Sequence, residues 1–337
     1  MNRRGVCYDV GRVLMEKHFR PEFDVNIIKR ELEIIKEELH CNVVKICGKD
    51  IERLMKASEF ALNLGLEVWV SPELWDKNPE DTMEYIVEAA VESEKLRLKH
   101  EGKVVFVMGT EISLFMNGIL KGNNFMERLQ SPDFNEIVTK GKHNTILNKF
   151  LENGNTRVRN VFKGPVTYAS TPLEAVNWKI FDFVCVDIYR DAKIKEEYPK
   201  LLKSFAIHDK PVVIGEFGCC TYEGAEECGG WAWNILDESD NESLDGNYIR
   251  NEAVQAYELT EQLNIIENSG ADGGFVFTFV QPTFKHAEDP KFDLDMASFS
   301  LVKTLHGGNG QTYKDMNWEP KESFYALSEF YGELEYN

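Results

Sequence analysis

Hydrophobic positions along the chain fall into two alternating rhythms. Eight short apolar runs, rich in β-branched and aromatic residues, occupy 4–10, 43–48, 66–74, 103–111, 164–170, 182–189, 210–218 and 272–279. Runs of that length and composition read as strands. Between nearly all of them the apolar spacing lengthens to that of a helix. In 24–40 an Asp24 cap precedes Ile27, Ile28, Leu32, Ile35 and Leu39, which line one face with charges opposite. Similar stripes run through 51–64, 82–100, 135–151, 251–268 and 322–331. Eight strands that alternate with helices predict a single α/β domain spanning 1–337, a (β/α)8 TIM barrel. The rival, an open doubly wound sheet, needs a topological switch point, and no Gly-x-Gly-x-x-Gly follows the first strand.

The spacing of the strands is uneven. About sixty residues separate the fourth strand from the fifth and the seventh from the eighth. This predicts extended loops after strands four and seven, at 114–133 and 219–248, and a further one after strand eight. Such loops leave the carboxyl ends of the strands, the rim where barrels build their sites. No Pro- or Ser-rich linker divides the chain.

Strand alternation places Val105, Val107, Gly109 and Glu111 on one face of the fourth strand, and Val212, Ile214 and Glu216 on one face of the seventh. Both glutamates end apolar runs, where an ionised carboxylate is costly unless something compensates. Two carboxyl groups facing each other across a barrel mouth can cleave a glycosidic bond, one protonating the leaving oxygen while the other attacks or activates water.

Several motifs around these glutamates resemble the clan A retaining glycoside hydrolases. Gly109-Thr110-Glu111 is similar to that clan's strand-four Gly-Asn-Glu, and Ile214-Gly215-Glu216-Phe217-Gly218 to its strand-seven Gly-Glu-Phe-Gly. Cys41-Asn42-Val43-Val44-Lys45-Ile46 resembles its strand-two Asn-x-Val-Arg-Ile, and 297–302 with 320–327 resemble its closing segments. The resemblance implies Glu111 as acid/base, Glu216 as nucleophile and Tyr189 as the hydroxyl that positions that nucleophile. It also implies substrate contacts for Thr110 and Lys45, which stand where the clan has Asn and Arg. Thr offers no amide, and Lys offers a point charge in place of a planar fork. The strand-eight Trp that floors the sugar site in the clan is absent, with Phe277 or Phe279 as the nearby aromatic.

Other residues near strand ends stay open between two uses. Glu73, Asp9 and Asp187 can touch substrate or cap a loop, and Trp231 and Trp233 can stack on a sugar ring or anchor their loop. The acidic run 237–242 reads as a solvated loop that could also line the site mouth.

Composition narrows the partners. The chain has 337 residues, 43% of them hydrophobic, with 38 Lys+Arg against 57 Asp+Glu and a formal charge of −19. That field disfavours nucleic acid and anionic membrane, and no apolar run is long enough to span a bilayer. The amino-terminal residues lead directly into a strand, leaving no signal-peptide core, so the expected compartment is the cytoplasm. Seven scattered cysteines fit a reducing environment. Neither Cys219-Cys220 with Cys228 nor the seven histidines have metal-ligand spacing, and the glycines at 307–310 lack a phosphate cradle's context. The expectation is therefore a retaining glycosidase acting on a small β-linked glycoside or oligosaccharide without cofactor or metal. The sequence carries no signal for an oligomeric state. The alternative is a catalytically weak barrel that binds a sugar or a protein, of the abortive-infection kind. An aldolase-like barrel ranks last, because strands five to seven lack an inward Lys.

Overall fold

Eight strands pair in sequence order, all parallel, and the eighth closes on the first: β1 Arg3–Asp9, β2 Val43–Gly48, β3 Glu67–Pro72, β4 Val104–Thr110, β5 Val166–Ser170, β6 Val184–Asp187, β7 Val212–Phe217 and β8 Gly273–Val276. This is the (β/α)8 barrel expected from the sequence. It comes from a computed structural model, which describes residues 1–100, 103–237, 239 and 242–336. Residues 238, 240 and 241 of the acidic run therefore lie outside the described residues.

The helices that cover the barrel are α1 Val25–Glu37, α2 Ile51–Asn63, α3 Pro79–Lys99, α4 Lys142–Val161, α5 Tyr198–Ser204, α6 Glu252–Ser269 and α7 Glu322–Tyr336. Local chemistry sets their starts. Asp24 caps α1 by accepting from the Asn26 and Ile27 N–H groups, and Asn78 caps α3, which begins three residues before its expected start because Pro79 fits the first helical turn. The helix expected over 135–151 is broken in two. Gly141 adopts φ +64° and separates Phe134–Lys140 from α4. Between β5 and β6 the expected alternation also lapses, and the crossover carries only the 3₁₀ turn Trp178–Ile180.

Two layers of core follow from the strand pleat. Cys7, Val43, Trp69, Val105, Val107, Ala169, Phe183, Cys185, Val213 and Phe275 fill the barrel interior. Val6, Val44, Ile46, Val68, Phe106, Met108, Ile214 and Val276 face outward onto helix residues such as Ile28, Leu32, Leu54, Ile86, Leu263 and Leu327. The interior assignment corrects the simple alternation in β7: Val213 points inward, while Val212 and Ile214 face outward. A one-residue register shift, between Ile214 and Glu216 against β6 and between Ile214 and Phe217 against β8, turns Glu216 back inward. Gly215 is the extra residue. A Cβ there would lie 2.2 Å from Asp187 Oδ1 and 2.6 Å from Cys185 Sγ, so the bulge needs glycine. In β4 a second shift falls between Val107 and Thr110, where Gly109 has φ +132°. Thr110 is thereby paired with Ala169, an interior residue, and Glu111 follows just past the strand end.

Both long loops are folded back on the barrel. Buried Arg128 donates to the Asn117 side chain at 2.7 Å and to the Leu114 carbonyl, and it pairs with Asp76, tying the loop after β4 to the loop after β3. Trp75, Phe115 and Phe125 stack in series beside it, at 4.4 and 4.8 Å. The loop after β8 is anchored by ion pairs of Arg250 to Asp293 (3.0 Å) and Asp295 (2.9 Å), and of Lys321 to Asp295 (2.9 Å). It includes a three-stranded sheet of Lys285–His286, Val302–Leu305 and Trp318–Pro320. Among the described residues no helix is long and apolar enough to cross a membrane.

Candidate active site

The bulge at Gly215 delivers Glu216 to the carboxyl-terminal mouth of the barrel, where three donors converge on its carboxylate. Arg12 Nη2 lies 2.9 Å and Lys45 Nζ 3.1 Å from Oε1, and the Tyr189 hydroxyl donates to Oε2 at 3.0 Å. Lys45 also donates to the Gly215 carbonyl at 3.3 Å and faces Asp187 Oδ1 at 3.7 Å. Lys45 and Asp187 are buried, and Glu216 is only 7% exposed. Burial by itself would raise the Glu216 pKa, but Lys45 and Arg12 together hold it below the usual glutamate value. Glu216 is thus kept ionised in a dry site.

Asp187 is in the reverse situation. Among the described residues neither of its oxygens has a hydrogen-bond donor, and burial pushes its pKa up to about 8 even against the pull of Lys45. It is therefore a neutral carboxylic acid through most of the physiological range.

Arg12 sits in the loop after β1, and its backbone N–H, with that of Gly11, donates to Asp9 Oδ1 at 2.8 and 2.6 Å. Asp9 thus caps the loop that aims Arg12. The guanidinium lies 4.9 Å from the Phe277 ring and 6.0 Å from the Trp75 ring. It donates from Nη2 to Glu73 Oε1 at 3.0 Å, and its Nε meets Oε2 at 2.7 Å as an ion pair outside hydrogen-bond angles. Burial raises the Glu73 pKa, with Arg12 opposing. Glu73 therefore serves as a counter-ion for Arg12. Thr110 exchanges a hydrogen bond with Ser71 at 3.3 Å.

Glu111 stands across from this group in a left-handed backbone conformation, φ 44° and ψ 44°, at the head of a one-turn helix, Ile112–Phe115. Its N–H donates to the Ala169 carbonyl at 2.8 Å, and its side chain is partly exposed. Desolvation, followed by the crowding of the Asp187, Glu216 and Glu174 carboxyl groups, raises its pKa well above the ordinary glutamate range, with Lys45 opposing. The two glutamates that the sequence singled out thus face opposite electrostatic environments, one that favours the ionised form and one that favours the protonated form.

Of the residues expected at the site, Glu111, Glu216, Tyr189, Lys45, Thr110, Glu73 and Asp187 gather at this one mouth. Phe279 does not. It is fully buried in the outer core, between Tyr8 (6.2 Å) and Trp318 (5.5 Å), and cannot meet a substrate; Phe277, against Arg12 and Tyr189, takes the inward place. Trp231 is half exposed, with its ring 6.3 Å from Trp233, and Trp233 packs partly into the loop core. The backbone leading to Trp231 runs against Tyr189, since a Cβ on Gly230 would lie 3.2 Å from the Tyr189 ring. The loop after β7 thus runs beside Tyr189 at Gly230, next to Trp231. Sequence reasoning missed Arg12 and Trp75. The signal for Arg12 was a basic residue two positions past the end of an apolar strand, in the loop Asp9-Val10-Gly11-Arg12. Among the described residues no cluster of three or more His, Cys, Asp or Glu is arranged to hold a metal ion.

The barrel closely parallels several solved structures. The chain is similar to a GH113 β-1,4-mannanase with TM-score 0.62 and 13% identity, over 98% of both chains. It is similar to the GH113 β-mannanase of Alicyclobacillus acidocaldarius with TM-score 0.60 and 13% identity, over 98% of this chain and 97% of that one. For a glycoside hydrolase family 5 enzyme of Prevotella bryantii B14 the values are 0.53 and 12%, over 98% and 96%. It shares its fold with these glycoside hydrolases. No protein-family model matches the chain, and no curated protein matches it.

Proposed function

We propose that this chain is a retaining glycosidase, with Glu216 as nucleophile and Glu111 as acid/base, acting in the cytoplasm on a small β-linked glycoside or oligosaccharide. The observation that carries this reading is the placement of the two glutamates at one barrel mouth, Glu216 against Arg12, Lys45 and Tyr189 and Glu111 among carboxyl groups, because environments that push two carboxyl pKa values apart assign acid and base. In the first step Glu216 attacks the anomeric carbon through one carboxylate oxygen while Glu111 passes its proton to the departing oxygen. In the second, Glu111 takes a proton from water, which displaces Glu216 and regenerates both groups. As the ester forms, Glu216 gives up its charge, and Arg12 keeps Glu73 as its counter-ion. Tyr189 keeps the Glu216 carboxylate aimed through both steps.

The β-1,4-mannanases among the similar structures place aryl β-mannosides first in a substrate panel. Glu216→Ala and Glu111→Ala should fold normally and lose roughly 10³-fold or more in activity on such a substrate. Azide should restore Glu111→Ala with retained product and Glu216→Ala with inverted product, and full activity in both variants ends the assignment. The pH profile of kcat/KM should be bell-shaped. Activity falls on the acid side as Glu216 takes up a proton, and on the basic side as Glu111 loses its own.

The departures at Thr110 and Lys45 favour one second reading, a barrel that binds a sugar or protein with little turnover. Tight retention of an oligosaccharide by wild-type protein, with no hydrolysis across the aryl panel, selects it.

A further inference from the structure

After the left-handed turn at Glu111 the next two backbone N–H groups find partners on β5 and the loop that follows it. The Ile112 N–H donates to the Tyr168 hydroxyl at 2.7 Å, and the Ser113 N–H donates to Glu174 Oε1 at 3.0 Å. The Tyr168 hydroxyl in turn donates to the Glu174 carboxylate, 2.8 Å from each oxygen. Tyr168 lies on β5 and is fully buried. Glu174 sits in the loop after β5, and that loop is itself pinned. His143 Nε2 on α4 donates to the Leu173 carbonyl at 2.8 Å, the Ala175 N–H donates to Asn144 Oδ1 at 2.8 Å, and Asn148 donates to the Ala175 carbonyl at 2.8 Å. Glu174 is thereby held in a fixed position beside the Glu111 turn.

We infer that Glu174, acting with Tyr168, is a positioning residue for the acid/base: it clamps the turn that presents Glu111 and sets the negative field in which Glu111 gains and loses its proton. The inference rests on the reading of Glu111 as acid/base. The groups that act on Glu111 are Asp187 from β6, Glu216 from β7, Lys45 from β2 and Glu174 from the loop after β5, with the Tyr168 and Tyr189 hydroxyls nearby. The groups around Glu174 are Tyr168, Ser113, Glu111 and His143, the last through the Leu173 carbonyl. Burial pushes Glu174 up to about 7, against the hydrogen bonds from Ser113 and Tyr168. It therefore ionises near neutrality, and the charge it acquires opposes ionisation of Glu111 as the pH rises further. Glu111 is thereby kept in its proton-donating form over a wider span of pH.

Glu174→Gln tests this, because the amide can keep both hydrogen bonds while losing the charge. The basic limb of the kcat/KM profile on an aryl glycoside should move toward acid by roughly half a pH unit with KM unchanged. A titration of the Glu111 carboxyl carbon by NMR should move with it. If both coincide with wild type, the inference fails. Tyr168→Phe removes the acceptor for the Ile112 N–H and should lower kcat roughly tenfold with KM unchanged; an unchanged kcat overturns the clamp even if Glu174→Gln does not fold. Glu111→Gln separates the two levels, since full activity in that variant removes the acid/base reading itself, whereas its inactivity together with a wild-type profile in Glu174→Gln removes only the role of Glu174.

Discussion

At the amino-terminal end of the barrel Arg3 lies 4.8 Å from the Phe183 ring and pairs with Glu67, at 2.6 Å, and with Asp272. At the carboxyl-terminal end Arg12 and Lys45 meet Glu73, Asp187 and Glu216, with Asp9 and Glu111 beside them. Below, one cation is shared by two half-buried acids, and water can still screen them. Above, five carboxyl groups crowd around two buried cations, and burial with mutual repulsion pushes the Asp187 and Glu111 pKa values upward. The surplus of acids costs stability, and the same surplus raises the Glu111 pKa to where it can donate a proton. One end closes the barrel, and the other stores protonation states.

The largest expected break in this contrast comes from Gly215→Ala. The added methyl would press on Asp187 and Cys185, so unfolding free energy should drop by about 1–3 kcal/mol, and turnover should fall with it because Glu216 is re-aimed. Thermal melts and aryl-glycoside kinetics measure both, and a stable, active variant would show that the bulge does not set the aim of Glu216.

Arg3→Met tests the other end. It should cost about 1–2 kcal/mol of stability, from the lost pairs and the ring contact, while kcat/KM stays at the wild-type value. A change in kcat/KM would show that the two ends are coupled.

Asp187 predicts a pH dependence. Its pKa rises from 3.8 in the open chain to about 8 in the fold, so the folded protein holds a proton that the unfolded chain releases. That contribution favours folding at low pH and declines as the pH climbs from about 4 to about 8. Asp187→Asn should flatten this part of the melting-temperature profile, and an unaltered slope would locate the titration elsewhere.

The smallest effect belongs to Trp231→Ala. The half-exposed ring should contribute little to stability, and kcat/KM should be unchanged for a monosaccharide aryl glycoside but reduced several-fold for a longer oligosaccharide. Equal behaviour on both substrates would leave Trp231 as a loop anchor.

Several parts of this molecule were legible without coordinates. The alternation of period-two and helical segments determined the barrel and its strand order, because each strand and helix must bury an apolar face and a βα repeat has few ways to do so. The placement of Glu111 and Glu216 at the ends of apolar strands singled out the barrel mouth for the same reason, since a carboxylate there needs a partner. Only the tertiary structure decided the rest. Simple alternation assigned Val212 and Ile214 to the wrong face because a bulge is set by pairing with neighbouring strands, and at Gly215 those neighbours are Asp187 and Cys185. Phe277 and Phe279 are alike in sequence, and the turn of the chain after β8 sends one to the site and the other to the core. Arg12 reaches Glu216 across 204 positions of sequence, and the opposed pKa shifts of the two glutamates depend on charges supplied by β2, β6 and the loops after β1 and β5. Secondary structure follows from near neighbours along the chain, whereas ionisation follows from neighbours in space, and folding alone brings those together.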